Sequence, residues 1–426
     1  MKSDLKYLIK NSGLTFALRI GGMGLGYVVA ILISQFYGAE VYGRYSIMVN
    51  FSLFAIMIFS IGIPTAIVKL SSSPSFHSKN KPLNNYLKKS LIILIISGLT
   101  GSLIIYLLKS FLAITIFHDS SLQVYFLYLS LFFTLLVLHR FTNEYFRGSL
   151  QFIKYGLFTF ILPSFILILI LFYLRFTGNQ KSELAFLSYL IGFAFIAILG
   201  LIYFPWKVNT GQDYQLKDLF RLALPMLFSS TFIFISNWTD IFMLGILVPK
   251  ADVGIYNAAY KVATLTVIII NVVNIVLGPQ IAKLFESKDF SGLKTKVQQA
   301  TQVVTLLTIP LIIVIIAFRK PLLNLFGDGF LEGEMTLIIL SIGMLFNALS
   351  GSVSLVLNMT NKQISLRNFT IIAAISNIIL NYFLIKNYGI IGAAIATTLT
   401  TILLNVLAII GIKRSFNFYP FSLKLR

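Results

Sequence analysis

Residues 11–36 read NSGLTFALRIGGMGLGYVVAILISQF. The stretch is apolar and exceeds the about 20 residues that a helix needs to cross a bilayer, yet Arg19 stands inside it. At about 100° per residue, Asn11, Thr15, Arg19, Gly22 and Gly26 share one helix face, opposite Leu, Phe, Ile and Val. The helix therefore has a lipid side and a polar, small-residue side. An arginine at the centre of a membrane helix costs at least about 2.5–3.5 kcal/mol, so it does not stay facing lipid. Two placements meet that demand. Arg19 faces a wet cavity and meets a negative charge there, or it lies nearer the cytoplasmic interface and snorkels to it.

The rest of the chain is of the same kind. Its 426 residues are 57% hydrophobic and 11% charged, with a mean hydropathy of +0.88. Those values lie outside the soluble globular range and imply an all-α integral membrane protein of many spans. The absence of cysteine excludes disulfide and thiol chemistry, and His77, His118 and His139 lack metal-ligand spacing. The basic N-terminus MKSDLKYLIKNSG runs into the first span without a small-residue cleavage site and reads as retained. The net charge of +20 is explained mostly by the positive-inside rule, so no nucleic-acid partner is implied.

Twelve apolar segments follow one another: 12–36, 44–68, 90–116, 121–142, 155–175, 185–205, 219–247, 258–282, 298–318, 335–357, 369–386 and 390–412. With the N-terminus in the cytoplasm, 24 of the 34 Lys and Arg fall on the cytoplasmic side, 9 fall outside, and Arg19 lies within a span. That split places both termini in the cytoplasm. The connections are too short for an extramembrane domain of any size.

The chain also repeats itself. GAEVYGRYSIMVN returns in outline as PKADVGIYNAAYK, matching Gly43 with Gly254 and Tyr45 with Tyr256. GIPTAIVKL resembles GPQIAKL, matching Pro64 with Pro279, Lys69 with Lys283 and Leu70 with Leu284. Six spans per half is an even number, so both halves enter the membrane with the same polarity. The expected layout is two six-helix lobes, residues 1–213 and 214–426, related by a parallel pseudo-twofold axis, with a site between them.

The second half has its own polar face. The seventh segment carries Ser230, Asn237 and Asp240, with Pro225 as a kink. Intramembrane carboxylates mark ion pathways, proton relays or charge pairing. The eighth has Tyr260, Thr264, Asn271 and Asn274 on one stripe, with Lys261 beside it. That stripe suits a cavity lining, and for any single Asn interhelical hydrogen bonding is the alternative. The fourth segment ends in HRFTNEYFRGS, where Arg140 and Glu144 stand four apart and can pair at the cytoplasmic mouth. That pair is either an interfacial salt bridge or a gate.

SNWTDIFMLGILVPKADVGIYNAAYKVA resembles the seventh-to-eighth-span signature of polysaccharide flippases of the multidrug/oligosaccharidyl-lipid/polysaccharide exporter superfamily. RIGGMGLGYVVAILISQFYGAEVYGRYS and SNIILNYFLIKNYGIIGAAIATTLT resemble that family as well. The resemblance implies a V-shaped pair of lobes, alternating access and no catalysis. Its implied substrate is an undecaprenyl-diphosphate-linked oligosaccharide, handled in a bacterial cytoplasmic (inner) membrane for O-antigen, capsule or exopolysaccharide. It also implies a cavity lined with cations, a role that Arg19, Lys261 and Arg140 fill here. Asp240 matches an acidic position of the seventh span and would hold Arg19 or Lys261, or carry a coupling proton or sodium. Polyprenyl-diphosphate-linked oligosaccharide, membrane lipid and the polymerase and chain-length proteins of the same pathway are the implied partners. The rivals are a cation-coupled multidrug antiporter of the same superfamily and a membrane glycan polymerase or ligase. The outer connections are short and lack the His or paired carboxylates that an enzyme would need.

Overall fold

The computed structural model describes residues 2–71, 83–179, 181–204 and 216–421. Among these, the side chains of residues 2–12, 83–86, 216, 218, 228–230, 232–233 and 235–237 are not described. The described chain is almost wholly helical. In order the helices are α1 (Lys2–Phe59), α2 (Ile63–Ser71), α3 (Leu83–Ser110), α4 (Leu122–Gly148), α5 (Phe152–Gly156) and α6 (Leu162–Phe176). Next come α7 (Leu184–Ile202), α8 (Leu216–Leu247), α9 (Lys250–Thr264), α10 (Val267–Glu286) and α11 (Phe290–Ala317). The last four are α12 (Arg319–Asn324), α13 (Glu334–Ser350), α14 (Val353–Met359) and α15 (Gln363–Phe416). Among the described residues, nine helical stretches are long and apolar enough to cross a membrane. The chain forms two compact units, Met1–Thr231 and Phe232–Arg426, whose boundary falls inside α8.

The two longest helices, α1 and α15, are each two membrane-length arms joined at one glycine. Gly38 has φ 81°, ψ 177° and Gly389 has φ 55°, ψ −133°. Such values are open to glycine and strained for other residues, so each helix turns back without a loop. Elsewhere the breaks are finer than the sequence pattern implied. The segment expected over 258–282 is two helices, because a turn of i→i+3 bonds separates α9 from α10 (Leu265 N to Val262 O, Ile268 N to Leu265 O). The outer connection PKADVG is itself helical from Lys250, leaving Val248 and Pro249 as the link. There the Lys250 ammonium donates to Gly245 O at 2.8 Å, at the C-terminal end of α8 where a cation is favoured. Pro225 lies inside α8, which runs through it.

Lipid tails are as apolar as leucine, so packing of shape rather than exclusion of water selects the interior helices. In the N-terminal unit α4 is the pole. Phe126, Phe133, Phe141 and Phe146 on it are fully buried. Phe51 and Phe59 of α1 meet Phe126 and Phe133 edge to face at 5.0 and 5.5 Å, the arrangement that aromatic quadrupoles favour. In the C-terminal unit Leu277, Leu293, Val353 and Ile412 bring α10, α11, α14 and α15 into one core.

At one end of the N-terminal unit, Arg44 Nε of α1 pairs with Asp119 Oδ2 at 2.7 Å, and Arg44 Nη2 pairs with Glu40 Oε1 at 2.6 Å. Arg44 and Asp119 are 13% and 10% exposed at the side chain, whereas Glu40 is 59% exposed. Only the first pair is therefore shielded from solvent. Breaking a buried pair from one side strands a charge. Asp119→Asn is expected to cost about 2–3 kcal/mol in thermal unfolding of the purified protein, while Glu40→Gln changes it by under about 0.5 kcal/mol.

Candidate functional site

Nineteen residues separate Arg19 from the break at Gly38, about 28 Å of rise. Leu18 packs on Gly156, where an added Cβ would meet the leucine side chain, and Gly22 lies against Phe160. The small-residue face thus seats α1 on the chain from α5 to α6. Gly26 has open space around it.

The Arg19 side chain is exposed and close enough to Tyr155 for the two to interact electrostatically. The Arg147 guanidinium lies 5.9 Å from the Tyr155 ring centroid and its Nη2 is 2.7 Å from Glu144 Oε2. Arg140 faces Glu144 at longer range. The expected Arg140–Glu144 ion pair is therefore replaced by Glu144–Arg147. Residues i and i+3 share a helix face as i and i+4 do, and the carboxylate takes the other neighbour. In the N-terminal unit Arg140 and Arg147 thus stand beside Glu144, and Arg147 and Arg19 stand near Tyr155. Arg147 and Tyr155 were not singled out in the sequence, although Arg147 stands in the same HRFTNEYFRGS run.

This end of the unit is held by an irregular turn. Leu157–Ile161 is π-helical, and π-bulges leave carbonyls without their usual partners. His139 of α4 supplies one partner, with Nε2 3.2 Å from Phe158 O. The same nitrogen is 2.9 Å from Asn143 Nδ2. One imidazole nitrogen cannot both donate to a carbonyl and accept from an amide. Turning the Asn143 amide resolves the conflict, because its Oδ1, otherwise buried without a partner, then faces Nε2–H.

In the C-terminal unit, Asp240 is buried. Tyr256 Oη donates to Asp240 Oδ2 at 2.5 Å and Thr397 Oγ1 donates to the same oxygen at 3.3 Å. The expected pairing with Lys261 is not made. Among the described residues of its unit, no Lys or Arg nitrogen lies within 4.0 Å of the carboxylate. Two hydroxyls donate to its Oδ2. One turn along α15 from Thr397, Thr400 Oγ1 accepts from Asn377 Nδ2 at 3.2 Å, and Asn381 Nδ2 donates to Asn377 Oδ1 at 2.9 Å. Asn381 Oδ1 is buried without a partner. Carboxylate, hydroxyl and amide oxygens of this kind suit a proton or a hard cation. Asn377, Asn381 and Thr397 escaped the sequence reading, although all stand in the SNIILNYFLIKNYGIIGAAIATTLT run.

The remaining candidates are scattered. Thr264 Oγ1 donates to Lys261 O at 2.9 Å, closing its own helix. Asn271 and Asn274 are half-buried on α10, and Asn274 Oδ1 is buried without a partner. The break between α9 and α10 shifts the register of the Tyr260–Asn274 stripe. The Asn237 side chain, like those of Asn11 and Ser230, lies outside the described residues.

A family model described as polysaccharide biosynthesis protein matches residues 8–285, and one described as MatE matches residues 225–383. The first covers well over half of the chain. The chain belongs to the polysaccharide biosynthesis protein family. A relative in this family's line of work is the "probable low-salt glycan biosynthesis flippase Agl15" of Haloferax volcanii, 24% identical over 229 residues. The match covers 54% of this chain and 48% of Agl15, so it spans about half the length of that relative. Among solved structures, the inward closed conformation of the lipid II flippase MurJ superposes with a TM-score of 0.73 at 18% identity, over 95% of this chain and 87% of MurJ. An inward-facing multidrug resistance MATE family transporter of the MOP superfamily gives 0.74 at 15% identity, over 93% and 94%. The fold is therefore the one that these two solved structures share.

Two expectations follow. Tyr256→Phe removes the shorter bond to Asp240 and is expected to cost about 1–3 kcal/mol in thermal unfolding. Adding Asp240→Asn should cost less than the sum of the two single changes, as residues in one network couple. His139→Ala should raise amide exchange across residues 157–161, and His139→Gln, which keeps a donor, should restore protection, read by hydrogen exchange.

Proposed function

We propose that the chain is a lipid-linked oligosaccharide flippase that moves a polyprenyl-diphosphate-linked glycan from the cytoplasmic to the outer leaflet by alternating access. The observation that carries this reading is the group of Arg140 and Arg147 beside Glu144, with Arg19 and Arg147 near Tyr155. Guanidinium groups bind phosphate oxygens bidentately. A diphosphate cannot enter about 30 Å of hydrocarbon unpaired without a cost of many kcal/mol. Cations at the mouth of a span lower that barrier where the substrate leaves the interface. The name of Agl15 supports the same substrate class.

Counting α1 and α15 as two spans each and adding α8 to the remaining membrane-length helices supports twelve spans. In this reading they form lobes 1–213 and 214–426, with both termini cytoplasmic by the distribution of Lys and Arg. Lys261, Thr264, Asn237, Asn271 and Asn274 line the sugar path, and Asp240 carries a coupling proton or sodium. The finer assignment is undecaprenyl diphosphate as carrier, in a bacterial cytoplasmic membrane, for O-antigen or capsule. Polymerase and chain-length proteins of that pathway are its partners.

The second reading, a cation-coupled multidrug antiporter, is favoured by the MatE match over residues 225–383 and by the buried carboxylate of Asp240. Substitution separates the two. In a host that needs this gene for surface glycan, Arg19→Ala and Arg147→Ala should each lower display about tenfold or more. One charge-assisted contact is worth about 1.5–3 kcal/mol. Arg19→Lys should retain part of the display. Full display in both alanine variants, with drug resistance that depends on Asp240, would establish the antiporter instead.

A further inference from the structure

The C-terminal unit holds a second feature. A cavity of about 500 Å³ lies among α11, α13 and α15, with Thr301, Thr305, Leu306, Phe346, Ser350 and Phe421 in its wall. Small-molecule sites occupy about 300–1,000 Å³. Three hydroxyls in the wall are already committed. Thr301 Oγ1 donates to Val297 O at 3.0 Å, Ser350 Oγ to Phe346 O at 2.8 Å, and Thr305 Oγ1 to Ala348 O at 3.4 Å. With those donors used on backbone carbonyls, the wall is mostly hydrocarbon, Gln302 being its remaining polar side chain. Leu306 in it is 68% exposed, and α11, α15 and the stretch Asp328–Ser350 that ends in α13 are each of membrane-crossing length and apolarity. The cavity opens on a surface that sits among acyl chains.

One end of it is strongly basic. Lys294 and Lys296 stand in the first turns of α11, Lys413 and Arg414 in the last turn of α15. Leu293 and Val297 share a core with Ala408 and Ile412, so these four cations stand at the same end of the unit. The C-terminal tail links that end to the cavity. Gln298 Nε2 donates to Tyr419 O at 3.0 Å and to Phe421 O at 3.3 Å, and Lys413 Nζ lies 4.9 Å from the Tyr419 ring centroid. Lys294, Lys296 and Arg414 are exposed, and among the described residues none of them has a carboxylate within 4.0 Å.

We propose that this cavity holds one acyl chain of an anionic glycerophospholipid, whose phosphate rests on Lys294, Lys296, Lys413 and Arg414. The apolar wall takes the chain and the cations take the headgroup. The match is one of both shape and charge. This inference uses the C-terminal unit alone and does not need transport of a glycan.

The test is lipid retention by the purified full chain, read by native mass spectrometry during titration with phosphatidylglycerol or with phosphatidylcholine of the same chains. Phosphatidylglycerol is expected to bind more tightly. Lys413→Gln with Arg414→Gln should weaken it about twenty-five-fold, near fivefold per charge, and leave phosphatidylcholine unchanged. Leu306→Trp, at an exposed wall position, should fill the cavity and lower retention of phosphatidylglycerol while the protein stays monodisperse and helical. Val303→Trp, exposed on the same helix but not in the wall, is the control and should retain it. Equal binding of the two lipids, retention unaffected by Leu306→Trp, or full competition by glycerol 3-phosphate would each overturn the proposal.

Discussion

The hydrocarbon core of a membrane offers no partner to a backbone N–H or C=O, so each must be satisfied within the protein. That constraint explains why the described chain is almost wholly helical, and also where the helices are allowed to fail. Each failure has its own local remedy. At Gly38 and Gly389 the turn is one residue long and uses a conformation reserved to glycine. Between α9 and α10 the ladder tightens to i→i+3 bonds. In the π-helical turn a side chain from a neighbouring helix, His139, meets Phe158 O. Only the last remedy joins two elements, and it lies beside the helix that carries Arg19.

The same constraint governs the polar side chains. Most hydroxyls in the spans donate to a carbonyl of their own helix: Ser46 to Tyr42, Ser52 to Met48, Thr370 to Leu366. Such residues are polar in the sequence and silent in the structure. Other groups reach beyond their own turn. Asp240 takes its donors from two other helices. Glu144 is held by Arg147 of its own helix, within reach of Arg140 and Tyr155. Arg44 reaches Asp119 across the fold. Polarity alone does not mark a site in a membrane; a charged group that is buried and needs a partner does.

This difference decides how much was legible. Membrane class and the helical character of nearly every segment follow from composition and apolar run length, because hydrocarbon thickness sets both. Arg19, Asp240, Arg140 and Glu144 stood out because a charge in an apolar run is costly. Which charge meets which was not legible. Glu144 has arginines at both i−4 and i+3, and the sequence does not choose between them. Thr397 is 157 residues from Asp240, a contact that only the fold makes. The helix that carries Arg19 begins well before the apolar run and breaks only at Gly38, boundaries that the apolar pattern does not mark.

Tyr45 and Tyr256, which the sequence pairs, each reach another helix of their own unit. Tyr45 meets the ring of Tyr189 at 6.1 Å, whereas Tyr256 meets the hydroxyl of Thr397 at 3.2 Å and Asp240 as well. The first tyrosine makes a packing contact and the second donates to a buried carboxylate. Arginines stand near Glu144 in the N-terminal unit, whereas the buried carboxylate of the C-terminal unit has hydroxyl partners instead. The same residue type at two paired positions thus does different work, because its surroundings, not its identity, decide whether a phenol packs or donates.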